Sequence, residues 1–276
     1  MLDRIYIGSS ITRVITSVMW NSLSYESMDP GSFPIFPTYI GMTIFCIVMT
    51  TMLFRRWRER LTRPPKLLFF TFASYSACIV ILTVGFAQVI ITNYKMELYQ
   101  FSLAFGFAGI MASNSFLILF AVDLYSLNAK RGWVYVVIDL VIAAILALPA
   151  NNYGVATKDI QGFKLRPFSF GAMLIFSAII YLRICFLSFR TGRKITERLG
   201  KTGFMFIGLS QICMILFLGF MGMDLLAIAL SPATGYTPFN FLAWAMGALF
   251  FLFAYLGLIM PGWLKRHLEA SGSRVQ

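Results

Sequence analysis

Seven stretches of this chain are almost continuously apolar, and the charged residues gather in the short segments between them. A helix that crosses a bilayer needs about 20 mainly apolar residues. The stretches predict such helices at about 35–54, 67–92, 99–126, 133–149, 168–189, 203–230 and 238–261. The fourth is the shortest and ends at Pro149, whereas the third and sixth are long enough to tilt or to project beyond the membrane. In residues 1–34, Ile11, Val14, Ile15 and Val18 recur at helical spacing with Arg13 and Ser17 between them. That pattern predicts an amphipathic helix on the outer surface or a cap over the bundle. Arg13 interrupts the apolar run, so it does not read as a signal peptide. Pro30, Pro34 and Pro37 then break the chain ahead of the first span. After Pro261 the run Gly262-Trp263-Leu264-Lys265-Arg266-His267-Leu268 predicts one interfacial turn of helix. The organisation expected is therefore an extracytoplasmic segment 1–34, a seven-helix domain 35–261 and a cytoplasmic tail 262–276, with no soluble output domain after it.

Composition fixes the class. Of 276 residues, 59% are hydrophobic, 12% are charged and 28 are Phe, and the mean hydropathy is +0.78. A soluble fold must turn polar atoms to water and cannot hide that much apolar surface. Disordered chains are polar and poor in aromatics. The fold class predicted is all-α: a polytopic membrane protein, multi-pass in the cell membrane.

The net charge of +12 would suggest nucleic acid on a soluble protein. Here the positions of the charges explain it. With the N-terminus outside, sixteen basic residues fall on the inner side: Arg55, Arg56, Arg58, Arg60, Arg63 and Lys66; Lys130 and Arg131; Arg190, Arg193, Lys194, Arg198 and Lys201; and Lys265, Arg266 and Arg274. The outer side holds six: Arg4, Arg13, Lys95, Lys158, Lys164 and Arg166. Basic residues collect on the cytoplasmic side of membrane proteins, which places the N-terminus outside and the C-terminus in the cytoplasm. No nucleic-acid partner is expected. The partners expected are the bilayer, anionic lipid, and a cytoplasmic signalling protein or another membrane subunit. Arg55, Arg56, Arg58, Arg193 and Lys194 are the candidate contacts, although topology by itself accounts for basic loops.

Several chemistries are excluded by scarcity. His267 is the only histidine and lies outside the spans, which argues against His-ligated haem, a di-iron site, a zinc protease or a Ser/His dyad. Cys46, Cys78, Cys185 and Cys213 lie in four different apolar segments without CxxC spacing and read as small buried hydrophobes. No cofactor or metal is expected. Small residues recur at four-residue spacing, as Ala73/Ala77, Ala104/Ala108/Ala112, Ala143/Ala147 and Ala243/Gly247, and predict close helix packing.

Ionisable groups at membrane depth are costly and are candidates for function. Four are present: Asp123, Asp139, Arg183 and Asp224. Arg183 and Asp123 both fall in the inner half, which suggests an ion pair between the third and fifth spans, as a lock or as a switch. Asp139 is the alternative partner of Arg183, or a protonated carboxyl bonded to Asn114. In the outer half, Gln88 and Thr92 can approach Asp224, with Asn240 and Trp244 at similar depth. Together with Ser113, Asn114 and Ser115 they can line an outward-facing cavity. An acid beside an aromatic suits a cationic or amine-bearing ligand. The plainer reading is a set of separate interhelical hydrogen bonds worth about 0.6 kcal/mol each.

The seven-helix plan resembles that of receptors and microbial rhodopsins, but residues 238–261 contain no lysine for a retinal Schiff base, and no other span has one. Asp123-Leu124-Tyr125 resembles the Asp-Arg-Tyr signature of G-protein-coupled receptors, with Leu124 in place of the arginine that would do the switching. The segment Tyr255-Leu256-Gly257-Leu258-Ile259-Met260-Pro261-Gly262-Trp263-Leu264-Lys265-Arg266 resembles the way prokaryotic seven-helix sensor domains leave their last helix for the cytoplasm. That resemblance implies a sensor or receptor-like function without enzymatic activity. It would bind a small ligand in the outer cavity and signal through basic inner loops to a separate partner. The first alternative is a small-solute or ion transporter or channel using Asp139 and Asp224, with Gly219 and Gly222 as the place for a local helix break. The second is an intramembrane aspartyl protease, which needs two acids close enough to share a proton. Its Gly-x-Gly-Asp motif is absent here, where the chain reads Gly219-Phe220-Met221-Gly222-Met223-Asp224.

Overall fold

The computed structural model of the chain describes residues 28, 30–60, 62–148, 165–230 and 237–272. The amphipathic pattern expected at residues 11–18 lies outside the described residues. A 3-10 turn, Pro30–Ser32, leads into eight α-helices: α1 Ile35–Arg60, α2 Arg63–Thr92, α3 Glu97–Leu124, α4 Ala129–Ala147, α5 Leu165–Lys194, α6 Arg198–Leu230, α7 Pro238–Leu258 and α8 Gly262–Gly272. No strand occurs among the described residues. Several helices extend beyond the apolar runs, by up to six residues, because they continue into the basic segments. α1 runs on through Arg55, Arg56 and Arg58, and α5 runs on to Lys194.

Local chemistry sets the ends. Pro37 does not break α1. It sits in the first turn, where the missing N–H has no intrahelical partner to lose. Pro64 and Pro65 open α2 and Pro238 opens α7 in the same way. α2 stops at Asn93, whose left-handed φ of 59° lets its N–H close on the Val89 carbonyl. The Asn128 side chain accepts from the N–H groups of Lys130 and Arg131 and starts α4.

Six helices are long and apolar enough to cross a membrane: the spans within α1, α2, α3, α5, α6 and α7. The protein is an all-α polytopic membrane protein. α4 differs because Lys130, Arg131 and Asp139 all fall within its 19 residues. Its pattern is nonetheless two-faced. Gly132, Val136, Asp139, Ala143 and Leu146 are buried on one stripe, and Trp133, Val134, Val137, Ile138, Leu140 and Val141 are exposed on the other.

α1 to α7 form a ring in chain order, closed where α7 meets α1, and α3 reaches across to touch α5 as well as α2 and α4. The α2–α3 and α6–α7 pairs pack most intimately, and the α4–α5 contact is sparse. The close pairs rest on glycines. A Cβ at Gly257 of α7 would lie 2.9 Å from the Gly203 carbonyl oxygen of α6, and one at Gly109 of α3 would lie 2.3 Å from Cys78 Sγ of α2. Between α1 and α2 the hydroxyls pair: Thr43 with Thr83 at 2.8 Å and Thr50 with Ser76 at 2.7 Å.

Candidate functional site

At the end of the ring where α1, α3, α5 and α7 begin, the helices enclose a cavity of about 750 Å³. Each of the seven contributes to its lining: Tyr39 from α1, Leu82 from α2, Phe107 from α3, Leu146 from α4, Ser169 from α5, Asp224 from α6 and Trp244 from α7. The walls are mostly apolar. Its aromatic rim is built edge to face: the Trp244 ring stands 4.7 Å from Tyr39 and 5.6 Å from Phe217, centroid to centroid. Gly219 of α6 and Gly171 of α5 also line the cavity, and a Cβ at either would meet nothing within 4 Å.

The polar edge of this cavity comes from the α6–α7 pairing. Thr237 donates its N–H to Asp224 Oδ1 at 3.0 Å and its hydroxyl to the same oxygen at 2.5 Å. Asn240 Nδ2 donates to Asp224 Oδ2 at 3.0 Å. The carboxyl thus sits at the N-terminus of α7, where a helix presents unpaired N–H groups and a partial positive charge. Asp224 is 4% exposed and Asn240 2%. Two further buried atoms at this edge have no hydrogen-bond partner: Asn240 Oδ1 and Trp244 Nε1. Buried polar groups are nearly always paired, so an acceptor and a donor left open beside a cavity are unusual.

Farther into the bundle lies a second polar cluster. Tyr181 of α5 donates to Asn114 Oδ1 of α3 and is hydrogen-bonded to the Tyr75 hydroxyl of α2. Asn114 Nδ2 donates to Ser177 Oγ at 2.9 Å. Ser115 Oγ donates to Asp139 Oδ2 at 2.6 Å, which ties α3 to α4. Asn114 and Asp139 are fully buried.

Several sequence expectations meet a different arrangement. Arg183 pairs with neither Asp123 nor Asp139. It donates to the Tyr135 hydroxyl at 3.1 Å and lies 5.5 Å from the centre of that ring. Asp123 instead faces Arg63 at the start of α2, with Arg63 Nε 3.0 Å from its Oδ2. The link between α3 and α5 at that depth is the Tyr125–Ser188 hydroxyl pair at 2.6 Å. Asp139 does lie beside Asn114, as expected, and its shortest donor is the adjacent Ser115 at 2.6 Å. Gln88 does not approach Asp224; its Oε1 accepts the Tyr99 N–H at 3.2 Å and holds the start of α3. Gln88 and Asn114 are not among the residues that line the cavity, whereas Asp224, Asn240 and Trp244 are. α6 runs unbroken through Gly219 and Gly222. Asp139 and Asp224 bind different partners and share no contact through which a proton could bridge them. Arg55, Arg58, Arg193 and Lys194 are exposed, but Arg56 is half-buried and donates to the Leu258 carbonyl at the end of α7.

Thr237, Tyr75, Tyr181 and Tyr135 were not singled out by the sequence. One signal was available for the tyrosines, since a hydroxyl within an apolar span needs a partner. Thr237 precedes Pro238 in a position typical of helix N-caps.

The chain matches no protein-family model. It matches no curated protein and no solved structure either. The arrangement of its own side chains is what bears on its function.

Proposed function

We propose that this protein is a seven-span membrane receptor or sensor without enzymatic activity. In this reading it binds a small, largely apolar ligand that carries a hydroxyl or amine, and passes the signal to a separate cytoplasmic partner. The observation that carries it is the pair of open polar atoms, Asn240 Oδ1 and Trp244 Nε1, beside Asp224 at the edge of a cavity of about 750 Å³. A ligand hydroxyl can donate to Asn240 Oδ1 or to the Asp224 carboxyl while accepting from Trp244 Nε1, and a protonated amine can donate to both acceptors. Its apolar body can lie against Phe107, Leu174 and Phe217. Asp224 has no cationic partner among the described residues, so it also suits a ligand amine.

α4 counts as the seventh span in this reading, despite its charges. Its outward face is apolar, Asp139 points inward to Ser115, and Lys130 and Arg131 stand in its first turn, at the end of the bundle where the basic loops gather. The distribution of basic residues supports an outside N-terminus and a cytoplasmic C-terminus in the cell membrane. The cavity then opens toward the outside. The exposed Arg55, Arg58, Arg193 and Lys194 are the candidate surface for a signalling partner.

The transporter reading would require Asp139 or Asp224 to exchange a proton or cation along a path between the two sides. Asp224 is held by three donors, and Asp139 is not part of the cavity lining. The receptor reading therefore accounts for more of the geometry.

Native mass spectrometry of the gently purified protein tests the proposal. The wild type is expected to retain a defined small molecule. Trp244→Phe removes the open donor, and Gly219→Leu fills the cavity from a wall position with free space; both are expected to lose that molecule while remaining folded. Equal retention by all three proteins would refute the proposal.

A further inference from the structure

A second opening, of about 290 Å³, lies at the opposite end of the bundle, between α3, α4 and α5. Its walls are Ile118, Val122, Ile179, Ile180, Ile184 and Leu187, and its rim carries Arg131 and Arg183. We propose that this crevice is a binding site for one anionic phospholipid. The two guanidinium groups hold the phosphate, and the first part of an acyl chain lies along the isoleucine wall.

Three observations carry this. First, the two arginines converge on one crevice. Arg131 and Tyr135 are four residues apart on α4 and so share a face, and Arg183 of α5 reaches across to the Tyr135 hydroxyl at 3.1 Å. Second, neither arginine has an acidic partner among the described residues. The ion pair found there, Arg63 with Asp123, lies on the α2 side of α3. Arg183 sits eleven residues before the end of α5, at membrane depth, where a guanidinium without a counter-charge is costly and is expected to recruit one. Third, the crevice has a way in from the bilayer. Gly132 brings α4 against Val122 of α3, where a Cβ would lie 2.5 Å from Val122 Cγ2, while α4 and α5 touch only sparsely. The gap therefore lies on the α5 side, and Ile179 at its edge is half exposed.

The forked guanidinium suits a phosphate. It presents parallel N–H donors that match phosphate oxygens, and basic pockets between spans on the cytoplasmic side bind anionic headgroups. Tyr135 positions the Arg183 fork by hydrogen bond and by its ring face. The shape adds selectivity, because the isoleucine wall offers nothing to a free phosphate and a continuous apolar surface to an acyl chain. This site does not depend on the ligand cavity at the other end.

The test is native mass spectrometry of the whole protein titrated with phosphatidylglycerol, with phosphatidylcholine of the same chains, and with sodium phosphate. The wild type is expected to hold one phosphatidylglycerol with a preference over phosphatidylcholine of about tenfold or more. Arg131→Gln with Arg183→Gln is expected to abolish that preference. Arg198→Gln with Lys201→Gln, which removes exposed charge from the same end of the bundle, is expected to keep it. The exposed single change Arg131→Gln gives the same readout, as a partial loss, if the double variant does not fold. A preference that survives the double change, or that the control pair removes equally, overturns the proposal. So does displacement of the lipid by millimolar phosphate, which would assign the site to free phosphate.

Discussion

Asn240 turns one end of its side-chain amide to Asp224, with Nδ2 3.0 Å from Oδ2, and leaves the other end, Oδ1, buried without a partner. One residue thereby anchors α7 to α6 and offers an acceptor at the edge of the cavity. The Asp224 carboxyl takes donors from Thr237 and Asn240, and Asp224→Asn would place a donor among them. It is expected to lower the unfolding free energy in detergent by about 1–3 kcal/mol. Amide exchange should rise first in the opening turn of α7. An unchanged melting profile would show that this cluster does not hold the helix.

Trp244→Phe should behave differently. The Nε1 donor has no protein partner to lose, and the ring contacts with Tyr39 and Phe217 can be kept by phenylalanine. Stability is expected to stay within about 0.5 kcal/mol of the wild type, whereas ligand retention falls. A large loss of stability would mean that the indole N–H is satisfied within the fold.

The Tyr75–Tyr181–Asn114 cluster joins α2, α5 and α3 in the buried interior. Tyr75→Phe and Tyr181→Phe are each expected to cost about 0.5–1.5 kcal/mol. Because the two hydroxyls bond each other and the same amide oxygen, their effects should not add. A double-mutant cycle measures the coupling, and strict additivity would contradict the network.

Asp123→Asn tests how the Arg63–Asp123 pair is used. Arg63 is about two-thirds exposed, so water screens the pair. The change is expected to cost no more than about 0.5 kcal/mol. A larger, salt-resistant loss would instead mark Asp123 as part of a buried lock.

Gly257→Ala addresses the tightest crossing of α6 and α7. The added methyl would sit 2.9 Å from the Gly203 carbonyl oxygen and 3.0 Å from the Ile207 nitrogen, both backbone atoms that cannot step aside. A loss of about 1–3 kcal/mol is expected from thermal or denaturant unfolding. Gly219→Leu, with open space around its Cβ, should cost much less in the same measurement.

Much of the architecture is legible in the linear sequence because bilayer length and apolar content are properties of each segment alone. All seven apolar stretches are helices in the structure, although Pro37, expected to break the chain ahead of the first span, stands inside the first turn of α1. The polar partners were much less legible. Depth along a helix can be counted from its ends, and on that basis Asp224, Asn240 and Trp244 were grouped; all three line one cavity. The face that a residue presents cannot be counted in the same way. Arg183 and Asp123 share a half of the membrane but point to different helices, and Gln88 has the expected depth but turns to the start of α3.

The sequence by itself determined that this is an all-helical membrane protein, because burial in lipid is decided segment by segment by hydrophobicity and length. Tertiary structure alone decided which polar groups meet, which stay open at a cavity and where α4 and α5 part. Those outcomes depend on the rotation of each helix about its axis, and that rotation is set by packing contacts such as Gly257 on Gly203, between residues far apart in the chain.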